Sequence, residues 1–153
     1  MSASSAHPGI GAGHHRTPIE ITALVAGGIF AVVGILGFIP GVTTNYSELA
    51  FAGPDSGAML LGIFQVSILH NIVHLLFGAA GLLMGRTDTQ AKYFLVGGGV
   101  VYLAIWLYGL LIDQASTANF IPVNTADNWL HAVLGVVMVG AGLAMGRANA
   151  NRG

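Results

Sequence analysis

Four stretches of the chain are almost unbroken in apolar residues, and short segments rich in polar residues, proline and glycine separate them. The first opens at Thr17-Pro18-Ile19-Glu20. Thr17 has the place of an N-cap, Pro18 stands where its missing N–H costs nothing, and Glu20 closes a capping box. This predicts a helix over about 19–38, ended by Pro40-Gly41, where the ring and the free backbone both oppose continuation. In the loop that follows, Asn45-Tyr46-Ser47-Glu48-Leu49 reads as one short interfacial turn.

A second helix is predicted over about 59–84. At about 1.5 Å per residue it measures on the order of 38 Å, longer than a hydrocarbon core of about 30 Å, and so should tilt. Gly85-Arg86-Thr87-Asp88-Thr89-Gln90 is a short turn with a second capping signal, which makes the second and third helices antiparallel neighbours. The third helix spans about 92–112 and the fourth about 127–145. Residues 1–17, rich in Ser, Ala, Gly and His, and the polar residues 148–153 have no apolar period and read as tails around one transmembrane domain, 18–147.

Composition sets the solvent. With 54% hydrophobic and 7% charged residues the chain has far less charge than the roughly 25% of soluble proteins, so its surroundings are lipid. The basic residues Arg16, Arg86, Lys92, Arg147 and Arg152 all fall on one side when the four stretches are threaded through a bilayer, and the loops on the other side carry only acids. Because cytoplasmic flanks retain Lys and Arg, this predicts a multi-pass inner-membrane protein with both termini in the cytoplasm. The first stretch is as long as a full span and lacks a basic start and a cleavage site, which favours a helix over a signal peptide. A net charge of −1 without a basic run gives no footprint for nucleic acid, and zero cysteines exclude thiol catalysis, disulfide exchange and thiolate metal sites.

The chain also repeats itself weakly. Asn71-Ile72-Val73-His74 with Gly78, and Asn128-Trp129-Leu130-His131 with Gly135, both read N-x-x-H-x-x-x-G. Ala-Gly-Leu-x-Met-Gly-Arg closes the second stretch at 80–86 and the fourth at 141–147. The predicted fold is therefore an all-α membrane bundle of four transmembrane helices, made of two parallel helix-hairpin repeats related by an axis along the membrane normal. The two strings imply registers that differ by one helical turn. One pairs His131 with His74, the other with His70.

Asn71, His74, Gly78 and Gly81 share one stripe of the second helix, and Asn128, His131, Gly135 and Gly142 nearly repeat it on the fourth. Glycines admit a close backbone approach, so the stripes read as a packing seam in which His and Asn bond across helices. Ionisable groups in a membrane also point to function. His70, His74 and His131 are candidate cofactor ligands, for example the two axial imidazoles of a b-type haem. A metal site built on these three lacks a nearby carboxylate or thiolate, and a small proton or solute transporter would have to relay through histidine alone, since no acid lies mid-span. The tail histidines His7, His14 and His15 read as solvated.

His70-Asn71-x-x-His74-Leu75-Leu76-x-Gly78, together with Asn124-Thr125-Ala126-Asp127-Asn128-Trp129-Leu130-His131, resembles a group of uncharacterised four-helix integral membrane proteins of actinobacteria, catalogued as a domain of unknown function. The similarity covers nearly everything from the first helix to the fourth. It implies an inner-membrane location and transfers no substrate, cofactor or catalytic residue. The chain departs from the group at Ser67-Ile68, where Asn-Pro is usual, so the resemblance does not fix where the histidine-bearing helix starts. The resulting expectation is a non-enzymatic membrane protein with no cofactor, a structural or accessory subunit in the lipid bilayer that forms a homo-oligomer or joins a larger membrane complex. Cofactor-binding redox and transport roles are the alternatives.

Overall fold

The structure is a computed structural model and describes residues 15–150. The segments 1–14, with His7 and His14, and 151–153, with Arg152, lie outside the described residues. Four helices carry the fold: α1 (Pro18–Leu36), α2 (Ile68–Met84), α3 (Asp88–Leu111) and α4 (Thr125–Ala150). Three of them, Pro18–Leu36, Asp88–Leu111 and Thr125–Ala148, are long and apolar enough to cross a membrane.

The start of α1 follows its sequence signal. Thr17 accepts from the Glu20 backbone N–H, and the Glu20 carboxylate accepts from the Thr17 N–H at 3.1 Å. Thr17 Oγ1 also donates to Asp88 in the first turn of α3, tying two helix starts together at the end of the bundle that carries both chain tails. Thr87 caps α3 by accepting from the Gln90 N–H.

The second helix departs from expectation. It begins at Ile68 rather than near Met59, because Ser67 caps it: Ser67 Oγ accepts from the His70 N–H at 3.1 Å. Residues before Ser67 belong instead to a small antiparallel sheet of β1 (Thr43–Thr44), β2 (Met59–Leu60) and β3 (Phe64–Gln65), in the order β1-β2-β3. Thr43 pairs with Leu60 and Met59 with Gln65. The tight β2–β3 turn holds Leu61 at φ 54° and Gly62 at φ 70°, left-handed backbone that glycine tolerates and leucine adopts at a cost. Ala58, Leu60 and Val66 form a second small core with Val33, Leu36 and Val42, so the sheet sits as a cap on the loop end of the bundle. Gln65 therefore lies in this cap and not within a span. Its Nε2 donates to the Pro54 and Ser56 carbonyls. The expected turn at Asn45–Leu49 is a 3-10 helix at Tyr46–Glu48.

The helices carry apolar side chains on their exposed faces, where a water-soluble protein carries polar ones. Ile21, Val25, Ile29, Val32 and Ile35 form an exposed apolar stripe along α1, and Trp129, Val133, Val136 and Val137 another on α4. His70, Asn71, Asn128 and His131 are buried. Apolar faces outward and polar groups inward are what lipid as solvent selects.

α1 packs chiefly on α2, and α3 chiefly on α4. Within each pair, glycine sets the separation. A methyl group at Gly27 would stand 2.7 Å from Leu82 N, and one at Gly78 2.6 Å from Ala31 N. In the other pair, a methyl at Gly99 would stand 2.9 Å from Val139 N, and one at Gly135 2.7 Å from Leu103 Cγ. The pairs meet through a core that includes Phe30, Phe94, Leu95, Tyr102 and Met138.

Candidate functional site

The polar residues of the two N-x-x-H strings separate into two groups by what they touch. Asn71 lies against Gly37, just past the end of α1, and Asn128 lies against Gly109 near the end of α3. Each amide occupies the space that a side chain on the opposing helix would fill. Asn71 Nδ2 and Asn128 Oδ1 are buried without a hydrogen-bond partner, so neither atom makes the cross-helix bond that the sequence suggests.

The histidines gather elsewhere. His70 and His74, one turn apart on α2, stack with ring centroids 4.6 Å apart and planes within 2°. The ring of His131 lies 6.5 Å from that of His70. His74 also meets Phe30 at 6.0 Å and 56°, and His131 meets Tyr102 at 5.1 Å and 54°. Phe30 and Tyr102 stack on each other at 5.2 Å. The two aromatic–histidine contacts thus sit on either side of one stacked pair.

Hydrogen bonding fixes two of the tautomers. His70 Nδ1 is 3.0 Å from the Pro122 carbonyl, and His74 Nδ1 is 3.2 Å from the His70 carbonyl. A carbonyl only accepts, so both Nδ1 atoms donate, and in the neutral ring Nε2 is left as a lone-pair acceptor. His131 Nδ1 is buried with no partner, and the residue is 5% exposed. All three rings line a cavity of about 120 Å³ whose other walls are almost entirely apolar, among them Val73, Phe77, Ile105 and Ile121. Tyr108 and Phe120 stand at its exposed rim.

The loop between α3 and α4 lines this cavity with Phe120, Ile121 and Val123, and side chain–backbone hydrogen bonds hold it. Asn119 Nδ2 donates to the Gln114 and Val123 carbonyls while its Oδ1 accepts from the Val123 N–H. Tyr108 donates to the Ala118 carbonyl at 2.7 Å. Asp127 is 3% exposed. It accepts from the Asn124 N–H and, across the cap, from the Gln65 N–H at 3.0 Å, while Asn124 Oδ1 accepts from the Asp127 N–H. The Asn124-x-x-Asp127 spacing is a reciprocal helix cap and is the sequence signal for this arrangement.

The geometry bears on the ligands considered from sequence. Among the described residues no group of three or more His, Cys, Asp or Glu side chains is placed to hold a metal ion. The cavity, at about 120 Å³, is smaller than the roughly 300–1,000 Å³ of pockets that take drug-sized ligands. No carboxylate lines the cavity, so a proton path through it would rely on the imidazoles and the tyrosines Tyr102 and Tyr108. Gly78, Gly81, Gly135 and Gly142 lie away from it, against Ala31, Gly27, Leu103 and Val96.

A family described as a domain of unknown function, DUF4383, matches residues 20–144, which takes in α1, the cap, α2, α3 and most of α4. No curated protein and no solved structure matches the chain.

Proposed function

The chain belongs to the DUF4383 family, and from that premise we propose that it is a four-span inner-membrane protein without catalytic activity, a structural or accessory component built as two helix hairpins of common descent. The observation that carries this reading is the recurrence of one set of contacts. Gly37 on Asn71, Ala31 on Gly78, Gly27 on Leu82 and Leu24 on Gly85 pair α1 with α2. Gly109 on Asn128, Leu103 on Gly135, Gly99 on Val139 and Val96 on Gly142 pair α3 with α4. Each contact of the first set maps onto one of the second by a constant displacement along each helix. Phe30 with His74 maps onto Tyr102 with His131 by the same displacement. The caps correspond as well, Ser67 to Asn124. This supports the register that pairs His131 with His74, with the final Ala-Gly-Leu strings slipped by one turn.

α2, at 17 residues, is about 25 Å long at 1.5 Å per residue and falls short of a bilayer core of about 30 Å. The cap supplies the remainder, since Phe51, Leu61 and Ile63 present exposed apolar side chains there and the Phe51 carbonyl accepts from the Leu69 N–H in the first turn of α2. On this reading the cap seats in the headgroup region and α2 is the fourth span. Both termini are cytoplasmic, with Arg16, Arg86, Lys92 and Arg147 at the tail end of the bundle.

The accessory role is tested by extracting the protein from its native membrane in lipid particles and weighing it by native mass spectrometry. A second copy of the chain, or another membrane protein at fixed stoichiometry, is the expected result. A chain that emerges alone at every lipid-to-protein ratio rules the role out.

A further inference from the structure

The cavity between α2, α3 and α4 is not needed for the packing just described, because the glycine seams and the two asparagines lie outside it. Three histidines on its wall, two of them at least nine-tenths buried, are costly in an apolar setting unless something meets them. We propose that this cavity is a binding site for a single phenolic or hydroquinone ring, whose hydroxyl groups donate to the histidine Nε2 atoms.

Three features select that chemistry. The first is hydrogen-bond polarity. Pro122 and the His70 carbonyl consume the Nδ1 protons of His70 and His74, so the α2 face of the cavity offers acceptors and calls for a donor. The second is the unpaired Nδ1 of His131 on the facing helix. With its proton on Nδ1, as in His70 and His74, that ring presents Nε2 as an acceptor, so a ligand with two hydroxyls can meet both helices. The third is size and lining. A cavity of about 150 Å³ with apolar walls takes one benzene ring, and this one, at about 120 Å³, is of that class. Phe77 and Tyr102 supply aromatic walls, meeting each other edge-on at 79°. Among the described residues no cation lines the cavity to meet a carboxylate or phosphate ligand, and no three His, Cys, Asp or Glu side chains are placed to hold a metal ion.

The exposed rim at Tyr108 and Phe120 gives an entry for a ring that arrives from water or one carried on a membrane-bound isoprenoid or alkyl tail. The recognised chemistry is the same in both cases.

The test uses the full chain in lipid nanodiscs under argon, with binding followed by calorimetry. Hydroquinone is expected to bind saturably and about tenfold or more tightly than 1,4-dimethoxybenzene, which has the same ring without donors. Substituting His74→Phe or His131→Leu is expected to lower hydroquinone affinity by about tenfold and to leave the dimethoxy compound unchanged. The comparison of the two compounds on the unaltered protein stands even where a variant fails to fold. A decyl-tailed hydroquinone that binds where the short one does not assigns the site to a lipid-borne ring; the reverse assigns it to a soluble phenol. Absence of saturable binding by both, or equal affinity for the donor-bearing and donor-free rings, overturns the proposal. The outcome is independent of the accessory role, which is read from subunit stoichiometry alone.

Discussion

Gly27 and Gly28 are neighbours in α1, yet only one of them lacks room for a methyl group. A Cβ at Gly27 would stand 2.7–2.8 Å from the backbone of Gly81 and Leu82, whereas one at Gly28 would meet nothing within 4 Å. Backbone cannot yield as a flexible side chain can, so Gly27→Ala must separate two helices and should cost about 1–3 kcal/mol. Gly28→Ala gains helix propensity and should be neutral or stabilising by up to about 1 kcal/mol. Thermal unfolding of the two variants in detergent separates them, and equal melting temperatures would contradict the seam. The same contrast is expected between Gly99 and Gly97 in α3. At this scale the sequence was informative about spacing and blind to direction. The i, i+3, i+4 stripe does place Asn71, His74 and Gly78 on one face, but a stripe cannot tell that Asn71 would fill the space over Gly37 while His74 turned to a cavity. That division depends on what each facing helix presents at the same height: a missing side chain in one place, Phe30 in the other.

At the scale of elements, the helix starts decide how the cap meets the bundle. Ser67 satisfies one backbone donor of α2, and Ser67→Ala should cost about 1 kcal/mol, the usual worth of an N-cap. Asp127 holds more, since it accepts the Asn124 N–H of its own helix start and the Gln65 N–H from β3. Its removal in Asp127→Ala orphans two donors at about 1–3 kcal/mol each and should exceed the Ser67→Ala loss. Asp127→Asn keeps an acceptor oxygen and should recover most of it. Amide hydrogen exchange supplies the readout: Asp127→Ala should speed exchange at Gln65 in β3, and Ser67→Ala should leave that amide slow. The helices were legible because apolar runs of their length have no other use in a chain with so little charge. The early end of α2 was not, because Met59 to Val66 continues the same hydropathy as Ile68 to Met84. The strands there are two residues long and exist through pairing with Thr43 and Thr44, contacts that no local pattern announces.

For the whole molecule, the question is what joins the α1/α2 pair to the α3/α4 pair. Contacts within each pair are glycine-lined, while those between pairs centre on the stack of Phe30 on Tyr102, with planes 9° apart. If the two pairs are repeats around an axis along the membrane normal, this stack lies on that axis, because Phe30 and Tyr102 are counterparts in the matched contacts. A residue stacked on its own counterpart should couple the halves. A double-mutant cycle of Phe30→Leu and Tyr102→Leu is therefore expected to show an interaction energy of about 0.5–1.5 kcal/mol, the range for aromatic pairs. Leu75→Ala combined with Leu103→Ala, one contact inside each pair, should be additive. The same axis demands that both hairpins enter the membrane from one side, a stronger statement than a pair of equally spaced motifs makes. The absence of cysteine gives a clean background for testing it. Single cysteines placed at Ser47 in the cap and Ser116 between α3 and α4 should both react with a membrane-impermeant maleimide on intact cells, and one at Thr89 only after lysis. Labelling of Ser47 and Ser116 from opposite sides would mean that the hairpins are inverted. The matched contacts would then reflect the geometry of any glycine-lined helix pair rather than a duplicated one.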